Sequence, residues 1–352
     1  MDNLEKLWRI VDVNQNRLSE GLRILEEIAR LYLENETLTL RLKNLRHALT
    51  LQDTASNCHL LFSRQADTDI GAHLKTVDQS KPETLFSLIS ANAKRAEQSL
   101  RVLEEFAGLL ELGLDTSIYS RGRFELYTLE KDLAAILLRK NRRDMIKGLY
   151  VAIDVDYLAG RDIPRVTKEV LEGGCRLVQL RAKTASARQF LSLALSLKEL
   201  CIEYGAVFIV NDRLDIALAC GADGLHLGQT DLSLSQARRL MPAGSIIGIS
   251  ADSPEDAASA QAGDADYVAA GAVFPTQTKL DVLYGGLSGL KAIRQVVNIP
   301  LVAIGGINKS NYNEALQAGA DSLCLISAVL GAPDIKKATS EFMTLVEAEK
   351  ND

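Results

Sequence analysis

The chain of 352 residues is 47% hydrophobic and carries a formal net charge of −6, enough apolar material for more than one core. Through residue 147 the Lys/Arg and Asp/Glu counts balance at 22 against 22, while the remainder carries 18 against 24, so the excess negative charge lies in the second half. That half is excluded as a generic nucleic-acid binder, which needs clustered Lys and Arg, and any anion it takes must be held by a local constellation.

The N-terminus, Met1 to Lys6, has no basic stretch followed by an apolar run. From residue 4 to about 141 apolar residues recur at helical spacing and β-branched clusters are few, which predicts an all-α domain over residues 1–145. Within it Asn14 to Leu31 matches Asn92 to Leu109 without gaps, with Asn14/Asn92, Arg17/Arg95, Leu22/Leu100, Arg23/Arg101 and Leu25/Leu103 identical. This reads as an internal duplication of a helical unit, packed as a compact bundle. It is compatible with packing, homo-oligomerisation or regulation. Arg23 with Glu27 and Arg101 with Glu105 are expected as i,i+4 pairs on solvated faces. His47, His59 and His73 lack metal-ligand spacing.

After Arg139 to Asp144 the pattern changes. Strands are predicted at Leu149–Asp154, Leu177–Arg181, Val207–Asn211, Gly224–Leu227, Ile246–Ile249, Tyr267–Ala270, Pro300–Ile304 and Ser322–Ile326. Helical stretches lie between them, including 162–172, 185–204, 232–240, 254–262, 288–297 and 310–318. An alternating series of this length predicts an α/β fold, a (β/α)8 TIM barrel over 146–352, preceded by the helical domain. Gly221-Ala222-Asp223, Gly263 to Asp266 and Gly319-Ala320-Asp321 recur at helix ends, where each glycine suits a left-handed cap. The cysteines Cys58, Cys175, Cys201, Cys220 and Cys324 are scattered, odd in number and never in a C-x-x-C pair, so reduced thiols are expected. No segment reaches ~18 uninterrupted apolar residues. No membrane partner follows, and a cytoplasmic location is the simplest reading.

Barrel chemistry sits on the loops after the strands, and these are polar here. Alternation along strand two sends Gln179, Arg181 and Lys183 to one face, an amide and two cations suited to a polyanion such as diphosphate. Strand three ends in Asn211-Asp212, and strand four is followed by Asp231. Two carboxylates on adjacent strand ends can hold one Mg²⁺, although Asp231 alone would read as a helix N-cap. His226 on its alternating strand reads as core-packed or supporting rather than as a base. Strand five supplies Ser250, and the loop after strand six carries Thr276, Thr278 and Lys279, an oxyanion-binding loop whose continuation to Gly286 is a candidate cover. Gly306 after strand seven and Ile326-Ser327 after strand eight form the usual barrel phosphate site.

The ordered set VQLRAK, VND, GLHLGQTD, GIS, FPTQTK, AIGGI and LIS resembles that of thiamine-phosphate synthases and covers nearly all of residues 149–330. The resemblance implies a transferase of thiamine biosynthesis. Such an enzyme displaces pyrophosphate from 4-amino-2-methyl-5-hydroxymethylpyrimidine diphosphate with the ring nitrogen of a phosphorylated 4-methyl-5-hydroxyethylthiazole or its carboxylate. It further implies that Gln179, Arg181, Lys183, Asn211 and Lys279, with Ser250 beside them, hold the pyrimidine diphosphate. Asp212 and Asp231 would bind Mg²⁺; Thr276, Thr278, Gly306 and the Ile326-Ser327 backbone would hold the thiazole phosphate. Arg181, Lys183, Ser250 and Lys279 are the expected catalytic groups. The family motif usually has Glu where this chain has Ala182, which alternation points away from the trio. The helical half resembles the extension of cyanobacterial-type members. A thiazole tautomerase, or a non-catalytic thiamine-phosphate sensor, are the competing readings; neither needs the metal pair and the cationic trio together.

Overall fold

The computed structural model describes residues 3–50, 54–64, 82–109, 112, 114–276 and 285–349. The chain divides into two compact units, Met1–Leu137 and Leu138–Asp352.

The first unit contains α1 (Asn3–Glu27), which runs on into a π-helical turn at Ile28–Tyr32, then α2 (Glu36–Leu49), α3 (Thr54–Phe62), α4 (Leu85–Ala107) and most of α5 (Thr116–Asp144). Its core is a leucine-rich seam, with Leu18, Leu22 and Leu25 of α1 buried with Leu42, Leu100, Leu103, Leu126 and Leu129. Small residues sit where the two repeat copies meet: a Cβ on Gly21 would lie 2.9 Å from the Asn92 carbonyl oxygen and 3.3 Å from Ala96 Cβ. The expected pairs Arg23–Glu27 and Arg101–Glu105 form. The first glutamate of each copy also reaches the next long helix. Glu26 takes Arg46 of α2 at 2.9 Å, and Glu104 takes Arg123 of α5 at 3.2 Å, so the duplication extends to an interhelical ion pair. His59 stacks on Trp8 with ring centroids 5.0 Å apart, and His73 lies outside the described residues.

In the second unit eight parallel strands close into a barrel in sequential order: β1 (Gly148–Asp154), β2 (Leu177–Arg181), β3 (Val207–Asn211), β4 (Gly224–Leu227), β5 (Ile246–Ala251), β6 (Tyr267–Ala270), β7 (Leu301–Ile304) and β8 (Ser322–Leu325). The crossovers are α6 (Ile163–Glu172), α7 (Ala187–Glu203), α8 (Leu214–Cys220), α9 (Leu234–Leu240), α10 (Pro254–Ala262), α11 (Gly286–Val296) and α12 (Tyr312–Gln317), with α13 (Ser327–Leu330) and α14 (Ile335–Ala348) closing the ring. The layer between strands and helices is apolar, formed by residues such as Val151, Val178, Phe208, Leu225 and Phe342. Tyr150, Ile209, Tyr267, Val302 and Cys324 belong to a separate cluster within the barrel.

The recurring Gly-Ala-Asp segments work as struts. Asp223, Asp266 and Asp321 each precede a strand and accept a backbone N–H from the first or second residue of a neighbouring one, at Phe208 (3.0 Å), Ile247 (2.7 Å) and Leu301 (2.8 Å). Each is also held by cations: Lys198 and Arg142 at Asp223, Arg238 and Arg139 at Asp266, Arg294 at Asp321. Gly221 and Gly319 adopt the expected left-handed backbone, whereas at the middle segment Asp264 takes it (φ 70°) and Gly263 does not. Among the described residues no helix is long and apolar enough to cross a membrane. The cysteines are free, with Cys58 alone exposed.

Candidate active site

A cavity of about 510 Å³ opens at the C-terminal ends of the strands. Gln179, Arg181, Lys183, Asn211, Asp212, Asp231, Ser250, Thr276, Gly306, Ile326 and Ser327 all line it. Thr278 and Lys279, with the cover read from Lys279 to Gly286 as far as residue 284, lie outside the described residues. Strand alternation delivers the trio to the cavity as anticipated, and Ala182 is buried in the layer between strands and helices instead.

The electrostatic centre is the pair Asp212 and Asp231. Asp212 sits one residue past β3 in a left-handed backbone conformation (φ 61°), fixed by its N–H donating to the His226 carbonyl at 2.8 Å. Aspartate is among the few residues that accept this region, and the twist turns its carboxylate to the rim. Burial, then the neighbouring Asp231 carboxylate, pushes the Asp212 carboxyl up to about 6, with Lys183 and Arg181 opposing. Asp231 is fixed in turn by the Gly228 N–H, 2.7 Å from its Oδ2. Two facing carboxylates with unbalanced negative charge and hard oxygen donors fit a divalent cation such as Mg²⁺. Among the described residues no group of three or more His, Cys, Asp or Glu could hold a metal, so the remaining ligands at this pair would be water or substrate oxygens.

Cations flank the pair. Lys183 Nζ lies 3.6 Å from Asp212 Oδ2 and is half exposed, free to swing toward a bound anion. Arg181 is more enclosed, and its Nη1 donates to Asp154 Oδ2. Asp154 had not been anticipated as part of the site. It ends β1, and the parallel register places it opposite Arg181. It is 1% exposed, and its other oxygen accepts from the N–H groups of Asp156 and Tyr157. Also missed were Tyr150 and Tyr267, whose hydroxyls are 3.1 Å apart, and Gln229, whose side-chain amide donates to the Ser250 carbonyl. His226 is bonded to Tyr267 and Ser250, the supporting role read for it.

Across the cavity lies the glycine turn after β7. Gly305 and Gly306 both have positive φ, 99° and 66°, and the Gly306 carbonyl accepts from Asn308 and Asn311 side chains at 3.2 and 3.1 Å. A Cβ on Gly306 would stand 2.5 Å from the Pro275 carbonyl oxygen and 2.7 Å from that of Phe274. Gly306→Ala must therefore displace backbone as well as hold a strained φ, and it is expected to cost about 2–4 kcal/mol. A thermal melt without substrates checks this; an unchanged melting temperature would show that the turn can relax.

The comparisons agree with this geometry. The family described as thiamine monophosphate synthase matches residues 149–329, and the ThiD2 family matches residues 9–132. The thiamine-phosphate synthase of Prochlorococcus marinus subsp. pastoris is 36% identical over 336 residues, 94% of this chain and 93% of that protein. That of Clostridium tetani is 44% identical over 193 residues, 55% of this chain but 92% of the relative. Among solved structures, thiamine phosphate pyrophosphorylase from Pyrococcus furiosus superposes with a TM-score of 0.54 at 44% identity, covering 58% of this chain and 98% of its own. With a closed eight-stranded barrel, the described residues of the expected motifs gathered on one rim and a full-length relative at this identity, the chain belongs to the thiamine-phosphate synthase family.

Proposed function

We infer that this chain is a transferase that joins 4-amino-2-methyl-5-hydroxymethylpyrimidine diphosphate to 4-methyl-5-(2-phosphoethyl)thiazole or its carboxylate, giving thiamine phosphate and pyrophosphate, with CO₂ released as well when the carboxylate is the acceptor. The observation that carries the reading is the Asp212/Asp231 pair beside Lys183 and Arg181 on the rim of one cavity. A tautomerase acting on the thiazole phosphate alone has no diphosphate for these groups to receive.

The leaving group sets the difficulty. As the C–O bond breaks, the pyrimidinyl methylene becomes cationic and the diphosphate gains charge. Arg181 and Lys183 compensate that charge where it develops, with Gln179 and Asn211 fixing the substrate between them. Asp212 and Asp231 would hold Mg²⁺, which supplies further charge neutralisation on the diphosphate oxygens when bound. Thr276 and the backbone N–H groups at Gly306 and Ser327 hold the thiazole phosphate on the other side, which brings its ring nitrogen to the methylene carbon. No protein nucleophile is needed. Thr278 and Lys279 complete the two anion sites in this reading.

The barrel is the catalytic domain, a reading supported by the Clostridium tetani relative, matched along 92% of its length by 55% of this chain. The helical region is a separate domain, in keeping with its own family match. Incubating the full chain with both substrates and Mg²⁺ tests the proposal. Thiamine phosphate and pyrophosphate are expected in equal amounts; recovery of both substrates unchanged would reject it.

A further inference from the structure

A line of hydrogen-bonded side chains crosses the barrel interior, and a group that can only donate stands at its head. Gln179 Nε2, an amide nitrogen that can only donate, bonds Tyr150 Oη at 2.6 Å. That hydroxyl has a single proton, and Tyr267 Oη stands 3.1 Å away to receive it. The Cys324 thiol in the same cluster is a weak acceptor and a poorer destination. With its oxygen accepting from Tyr150, Tyr267 turns its own proton to His226 Nδ1 at 3.0 Å. Nδ1 is then an acceptor, so the imidazole proton resides on Nε2, which donates to Ser250 Oγ at 3.0 Å. Both tyrosines are fully enclosed, and burial raises both phenols well above their ordinary range, so each stays a hydroxyl with one proton to give. The His226 ring also stacks on Tyr267, centroids 5.5 Å apart, which holds the imidazole plane.

Ser250 stands at the end of this line and at the cavity wall. Its carbonyl is taken by Gln229 and one of its two Oγ lone pairs by His226, so the hydroxyl proton is not spent on the imidazole and can point at a ligand. We propose that Tyr267 and His226 are positioning residues that fix Ser250 as a hydrogen-bond donor toward an acceptor atom of the pyrimidine diphosphate. The ligand in this statement rests on the function inferred above; the direction of the bonds does not. The consequence is discrimination. A substrate analogue presenting a donor where the acceptor belongs would lose the bond from the Ser250 proton and could reach only the remaining Oγ lone pair.

The experiment has two arms. Full-length protein labelled with ¹⁵N-histidine, without substrate, is studied by long-range ¹H–¹⁵N NMR, with His226 assigned by loss of its signals in His226→Gln. Protonation on Nε2 is expected, moving toward Nδ1 in Tyr267→Phe; an Nδ1-protonated ring in the unmodified protein overturns the proposal even if Tyr267→Phe does not fold. In the second arm Tyr267→Phe is expected to lower kcat/KM for the pyrimidine diphosphate about tenfold, the worth of one aligned hydrogen bond, with KM for the thiazole phosphate unchanged. That loss should vanish in the Ser250→Ala background. Equal losses in both backgrounds would mean that Tyr267 acts on the fold rather than through Ser250, and would overturn the proposal. An unmodified protein that forms no thiamine phosphate would count against the functional reading instead, since the tautomer is read without substrate.

Discussion

Changing Asp212 and Asp231 together to asparagine is expected to reduce turnover by about 10³-fold or more, while the metal-free protein becomes more stable. Both effects come from the same pair of carboxylates. At neutral pH the two charges face each other with Lys183 and Arg181 offsetting them in part, and Asp212 is pushed up to about 6 chiefly because it is buried. An acid whose folded-state value exceeds its unfolded value of about 4 binds its proton more tightly when folded. The metal-free fold is therefore most stable below pH 4 as far as this group is concerned, and it loses stability as pH rises through 6. Asparagine imitates the protonated carboxyl and accepts the left-handed backbone that Asp212 occupies (φ 61°), so the geometry is kept and the charge removed. A gain on the order of 1–3 kcal/mol is expected at pH 8 in chelator, read as a rise of a few degrees in melting temperature, and it should shrink at pH 5. Added Mg²⁺ should raise the melting temperature of the unmodified protein and leave that of the double variant unmoved. Full turnover by the double variant in chelator would sink the metal reading.

The barrel was legible because its strands are short apolar runs closed by polar residues, and the eight observed strands lie within one or two residues of those expected. Helix α8 was not marked: apart from Asp215 its seven residues are all apolar, so no helical period of polar and apolar positions shows. At the site, the residues that could be read were those whose neighbours in sequence declare them: a Gln-x-Arg-x-Lys alternation, an Asn-Asp at a strand end, a Gly-Gly turn. Asp154 carries no such context. Its meaning comes from Arg181, 27 residues away and beside it only through the parallel ladder. The Tyr150, Tyr267 and His226 line was hidden for the same reason. Each is one inward residue on a different strand, and only the closed barrel makes them neighbours. Position along the chain thus reveals which groups are chemical, and the register reveals which groups support them.

Arg181→Lys is expected to lower kcat/KM for the pyrimidine diphosphate by about 10²–10³-fold with little change in the KM for the thiazole phosphate. The guanidinium has two tasks: one nitrogen holds the buried Asp154 carboxylate, and the rest of the fork faces the cavity. An ammonium group keeps the charge, but as a point donor it cannot serve both partners. Removing the charge altogether is a less informative experiment. Arg181→Met would strand Asp154, 1% exposed, without its counter-ion, and breaking such a pair costs about 3–5 kcal/mol, so lost activity could be lost folding. Asp154→Asn separates the tasks from the other side. Its oxygen still accepts from Arg181, so the protein should fold, but the guanidinium is held less firmly and kcat/KM should fall by about tenfold. If Arg181→Lys kept full kcat/KM and only lowered the melting temperature, Arg181 would be the structural partner of Asp154 and nothing more. Charge compensation for the leaving diphosphate would then fall to Lys183, Lys279 and the Asp212/Asp231 metal site.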